Sequence, residues 1–177
     1  MNFDEFIAGL AARKISVWEL DRKGEKLDFA PTAVAAKLEQ AYSARDGYLL
    51  EALLNLALLR PSREYTQIVC RILEDAPNLP LGVEEAALDV LEELMDPASF
   101  DALVRVVSRP WLAFDPTDWR KGLQAIAGFY RRDLIELPVV ERALEKIAKS
   151  GNAIAPMAME QLTALRDFRN KRPLRGS

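Results

Sequence analysis

The chain has no histidine and a single cysteine, Cys70. These two scarcities remove the common zinc sites, whose ligands come from His and Cys. They also remove every triad and general base that relies on imidazole. One cysteine permits no intrachain disulfide, in keeping with a reducing, cytoplasmic compartment. Neither an EF-hand loop nor a glycine-rich phosphate loop occurs, so only an unpatterned carboxylate site is left open for a divalent ion. The balance weighs against an enzyme, and the sequence points to no catalytic residue, no metal ligand and no cofactor. Glycine and proline number only eight and ten in 177 residues, and they act as punctuation. The longest apolar stretch, residues 49–59, is broken by Glu51 and Asn55 and is too short to span a bilayer. The opening MNFDEFIAGLAARK lacks the basic region of a secretory signal.

What is present is an ordinary globular composition, half apolar and 29% charged, of a length that suits one domain. One segment recurs. EALLNLALL from Glu51 is answered by EAALDVLEEL from Glu85, RKGLQAIAGF from Arg120 and MAMEQLTALR from Met157. Leu54, Leu88, Leu123 and Met159 occupy one equivalent position, and the polar Asn55, Asp89, Gln124 and Glu160 follow them. Ala57, Leu91, Ile126 and Leu162 come next in register. Apolar residues at i, i+3, i+4 and i+7 in each copy predict a helix with one buried stripe. A second stripe precedes each copy, around Leu38, Ile68, Leu103 and Leu144. Each unit therefore reads as a hairpin of helix A and helix B, with Cys70 on the stripe of the second A helix.

Local chemistry marks the boundaries. Asn2 and Glu5 predict a capping box for an N-terminal helix. Ser62 and Asp96 are placed to cap A helices, and Pro97 suits the first helical position because no amide donor is needed there. Asp115-Pro116 offers the same chemistry before a B helix, and Gly151-Asn152 closes the last A helix. Residues 15–31 break the scheme, as either a short helix capped by Ser16 and Glu19 or a small hairpin. Residues 1–30 then form a cap, 31–168 the repeats and 169–177 a basic tail.

The paired stripes, the Asp96-Pro97 turn and the drifting mid-thirties period resemble HEAT repeats over about three-quarters of the chain. The resemblance implies an all-α, right-handed α-solenoid of about four hairpins behind an N-terminal helix. It also implies a protein-binding scaffold, since stacked hairpins expose their B helices as one broad wall.

Charge suggests which wall and which partner. Residues 1–95 carry ten Lys/Arg against seventeen Asp/Glu, and residues 96–177 carry fourteen against ten. Glu85, Asp89, Glu92 and Asp96 are spaced 4, 3 and 4 apart on one helical face, with Glu93 beside them. Glu51 and Asn55 extend this surface by one unit, and Gln124 and Glu160 extend it the other way. The expected partner is a protein with a basic surface, and a bacterial immunity protein against a basic toxin is the pointed version. Trp111, Phe114 and Trp119 form either an exposed aromatic anchor or a plug between units. Cations in RDFRNKRPLRGS, from Arg166 onward, belong to a solvated terminus, to a phosphate contact or to a pairing with an acidic surface. The competing class is a HEAT-like alkylpurine DNA glycosylase, with Trp111, Asp115, Trp119 and Arg120 in the reactive set. An acidic chain without a continuous basic stripe on its B helices does not favour nucleic acid.

Overall fold

Helices begin where side chains stand ready to satisfy the first free amides. In the computed structural model Asn2 accepts from the Glu5 amide at 2.9 Å, and the Glu5 carboxylate accepts from the Asn2 amide at 3.0 Å. This reciprocal box opens α1, Phe3–Ala11. The structure describes residues 2–16, 19–20, 27–80, 82–109 and 116–171, with backbone alone for 116–118. Most of the ambiguous segment 15–31 and the ring-bearing stretch with Trp111, Phe114 and Asp115 lie outside the described residues.

Eight further helices follow among the described residues: α2 (Pro31–Ser43), α3 (Gly47–Leu59), α4 (Thr66–Asp75), α5 (Val83–Leu94), α6 (Phe100–Val107), α7 (Pro116–Arg131), α8 (Leu137–Ala148) and α9 (Ala155–Lys171). No strand occurs among them. Asp46 caps α3 by accepting from the Leu49 amide. A 3-10 turn, Arg63–Tyr65, precedes α4 and is capped by Ser62. Another, Pro97–Ser99, precedes α6, and Asp96 accepts there from the Ala98 amide at 3.1 Å. Gly151, at φ 73, ends the turn after α8 in the left-handed region that glycine tolerates best. The last helix runs through Lys171, so the basic segment is helical up to that residue.

The chain divides into two compact units, Met1–Ser99 and Phe100–Ser177. Unit one contains the hairpins α2/α3 and α4/α5, with α2 against α4, α3 against α5, and α1 on α3. Because α3 has neighbours on three sides, Leu50, Leu53, Leu54, Leu56 and Ala57 are all fully buried. That demand explains why EALLNLALL is apolar nearly all round. Unit two repeats the scheme: hairpins α6/α7 and α8/α9, α6 against α8, and α7 against α9. Phe100 and Phe129 meet edge to face there, with centroids 5.4 Å apart. Cys70 is only half-buried, at the rim of the α4 stripe formed by Ile68, Val69, Ile72 and Leu73, so it is not the core residue its pattern suggests.

Polar contacts tie neighbouring A helices together within each unit. Asp75, at the end of α4, accepts from Arg45 at 2.7 Å, Tyr42 at 3.2 Å and Asn78 at 2.7 Å. In unit two, Asn152 donates its amide to the Ser108 and Arg109 carbonyls beyond the end of α6. Donation by Asn78 comes first among the causes that hold the Asp75 carboxyl below its ordinary value, with Tyr42 and Arg45 adding to it. A depressed folded-state pKa adds stability that is present above about pH 4 and lost as pH falls through the lowered value. Acid titration of thermal stability should therefore show a decline below about pH 4 that is shallower in Asp75→Asn. An identical acid slope in both proteins would remove the linkage.

Candidate partner-binding surface

The acidic residues of α5 follow from its burial pattern. Val83, Ala86, Ala87, Leu88, Val90 and Leu91 are buried. That leaves Glu85 and Glu93 exposed and Glu84, Asp89 and Glu92 half-buried on the other side. Unit one carries ten Lys/Arg against eighteen Asp/Glu, a net charge of −8, and unit two fourteen against nine, a net charge of +5. The change of sign thus falls at the boundary between the units. A face of this charge raises the local concentration and arrival rate of a basic protein.

Three of the predicted contact residues have work inside unit one. Asp96 accepts from the hydroxyl of Thr66, a residue only 2% exposed, at 2.7 Å, besides its bond to the Ala98 amide. It fastens the start of α4 to the turn that leads into α6, and its carboxylate is committed to those bonds. Glu51 reaches the first turn of α5: a Cβ placed on Gly82 would lie 3.2 Å from its carboxylate. The positive end of the α5 dipole favours an anion at that point. Asn55 donates to the Glu51 carbonyl one turn back, at 2.9 Å. Neither is wholly buried, so both still border the α3–α5 face.

The remaining predicted residues lie in unit two or outside the described residues. Trp119 is 5% exposed and belongs to the core of unit two, so it is no exposed anchor. Gln124 on α7 and Glu160 on α9 are exposed, as is Arg120. Of the glycosylase-like set, Trp111 and Asp115 are outside the described residues, Trp119 is buried and Arg120 lies on the surface. Arg166 is held by α8 instead of extending toward a phosphate, donating to Glu141 at 3.0 Å and to Glu145 at 2.9 Å.

Two features were missed by sequence reasoning. The first is a shallow depression of about 440 Å³ at the α7–α8 turn, lined by Tyr130, Asp133, Leu134, Ile135, Glu136, Leu137 and Pro138. Asp133 has φ 59 there, a left-handed conformation that no glycine announces. The second is a row of exposed cations, Arg142, Lys146 and Lys149, on and just beyond α8. Its spacing of 4 and 3 repeats that of Glu85, Asp89 and Glu92, and the same counting rule would have found it. Among the described residues no group of three or more Cys, Asp or Glu is placed to hold a metal ion. No helix among them is long and apolar enough to cross a membrane. Comparison with known proteins finds no matching family model, no matching curated protein and no matching solved structure.

Proposed function

We propose that the chain is a non-catalytic, HEAT-like repeat protein that binds a basic protein partner through the acidic α3–α5 face. The observation that carries this reading is the placement of Glu85, Asp89, Glu92 and Glu93 along the unburied side of α5, in a unit of net charge −8. The pairing of A helix with A helix and B helix with B helix inside each unit is what a HEAT-type stack requires, and it supports the solenoid reading. An acidic binding module of this size suits an immunity or inhibitor protein that neutralises a basic toxin, because complementary charge speeds capture. The burial of Trp119 removes that ring from the proposed contact area, which α3 and α5 carry.

Affinity capture from the native host tests the reading, with the wild-type chain compared against Glu85→Lys/Asp89→Lys/Glu92→Lys. A basic protein should be enriched by the wild type, weakened at least about tenfold by ~0.3 M salt, and lost by the variant, because exposed charge pairs are screened within about a Debye length. Retention of the same partner by the triple variant would take the binding surface away from α5.

A further inference from the structure

The turn between α7 and α8 holds apolar side chains at the surface. Leu134 and Ile135 both donate their amides to the Phe129 carbonyl, at 2.8 and 3.3 Å, and Asp133 donates its amide to the Tyr130 carbonyl at 2.9 Å. These bonds fix the backbone, so Leu134, Ile135 and Leu137 stay half-buried around the depression with Tyr130, and Pro138 is exposed beside them. The volume of about 440 Å³ lies in the range of pockets that take side chains or small ligands, roughly 300–1,000 Å³. Glu136 is exposed among the lining residues, and its carboxylate does not cap α8. Asp133 is a second acid in the lining. The nearest cations in sequence, Arg131 and Arg132, are not lining residues, and Arg131 stands over the Phe168 ring with its Cζ 6.0 Å from the centroid.

The end of α9 arrives beside this depression. α8 and α9 are antiparallel neighbours joined by residues 149–154. Arg166 meets Glu141 and Glu145. Lys171, about 7.5 Å further on at 1.5 Å per residue, therefore comes level with the first turn of α8, where Leu137 and Pro138 lie. The ring of Phe168 agrees with this register, since it meets Tyr130 edge to face with centroids 6.2 Å apart. Residues 172–177, RPLRGS, follow Lys171 and lie outside the described residues. We infer that this segment of the same chain occupies the depression, with Leu174 against Leu134, Ile135 and Leu137 and with Arg172 and Arg175 toward the acids of its lining. Reach selects this occupant first, because three extended residues beyond Lys171 cover about 10 Å, the width of one helix. Pro173 favours a departure from the helix, because the residue before a proline is disfavoured in the α conformation. An apolar residue between two cations also matches an apolar floor that carries two acids. Attachment to α9 gives the segment a high effective concentration, so a contact too weak to form between separate molecules suffices here. The contact lies wholly within unit two and does not depend on the α3–α5 face.

Nuclear magnetic resonance of the full chain decides the matter through backbone order at Leu174 and Arg175 and the methyl signals of Leu134, Ile135 and Leu137. In the wild type the two amides should have order parameters near about 0.8, against values below about 0.6 for a free chain end. Leu174→Asp should drop both below about 0.6 and shift the three methyl groups, and Leu174→Met should keep both near the wild-type values. Unchanged helical circular dichroism would show that both variants fold. The order should be the same at about 20 µM and about 400 µM protein, as attachment within one chain requires. Amides below about 0.6 in the wild type would show a solvated segment and overturn the inference. Order that appears only at the higher concentration would assign the depression to the segment of a second copy and overturn it equally. So would Leu174→Asp leaving the order and the three methyl groups unchanged, because the segment would then be held elsewhere.

Discussion

Leu123→Ala should destabilise the protein by about 2–5 kcal/mol, while Met159→Ala should change stability by less than about 0.5 kcal/mol. The two residues hold equivalent positions in the repeated segment, yet Leu123 is fully buried and Met159 is 51% exposed. Leu123 lies on α7, which packs against α6, α8 and α9, so truncation leaves a cavity that neighbours on several sides cannot fill. Met159 lies on α9, whose principal neighbours are α7 and α8. Only Ala158, Leu162 and Leu165 of α9 are buried, a narrow stripe that keeps Leu162 of the aligned positions and leaves Met159 outside it. Chemical denaturation of both variants measures the difference directly. Equal costs at the two positions would mean that α9 is covered on both sides, as an inner helix is.

The same pair shows what the sequence can and cannot disclose. Three of the four aligned residues, Leu54, Leu88 and Leu123, are buried as their period requires. The fourth is not, because periodicity reports that a helix has an apolar face but not how many neighbours it has. Caps were legible because they are local: Asn2 with Glu5, Ser62, Asp96 before Pro97, and Gly151 each act within a few residues of themselves. The acidic row of α5 was legible for the same reason, as spacing along one helix. The roles of single acids were not. Asp96 meets Thr66 from 30 residues away, and Glu51 stands over Gly82 on another hairpin, so neither contact leaves a trace in spacing. Trp119 shows the limit for aromatics: a ring that serves as a plug and one that serves as an anchor are written alike, and only burial separates them. The basic row on α8 was within reach of the counting rule, but the acids interleaved with it, Glu141 and Glu145, masked it in the net charge of the segment.

Gly47→Ala should cost about 2–3 kcal/mol and lower the melting temperature by about 5–10 °C, although alanine is the better helix former by about 1 kcal/mol. Gly47 opens α3, directly after the capping Asp46, and is buried. A Cβ at that position would stand 2.3 Å from Cγ of Pro80, 2.7 Å from its Cδ and 2.9 Å from its Cβ. All three distances are far inside van der Waals contact, and the pyrrolidine ring cannot swing aside because it closes on its own backbone. The segment before α5 would have to move as a whole. The Pro80 carbonyl accepts from the Val83 amide at the start of α5, and Gly82 lies between them at φ 97 with the Glu51 carboxylate beside it. The displacement would therefore reach the first turn of α5 and the acidic face that follows it. Pro80→Gly removes all three obstructing atoms, so adding Gly47→Ala to that background should cost less than half of what it costs in the wild type. A double-mutant cycle by thermal and chemical denaturation reads this coupling. If Gly47→Ala is as stable as the wild type, α3 does not approach Pro80 closely, and the α3–α5 face is not held in the geometry on which the proposed partner binding depends.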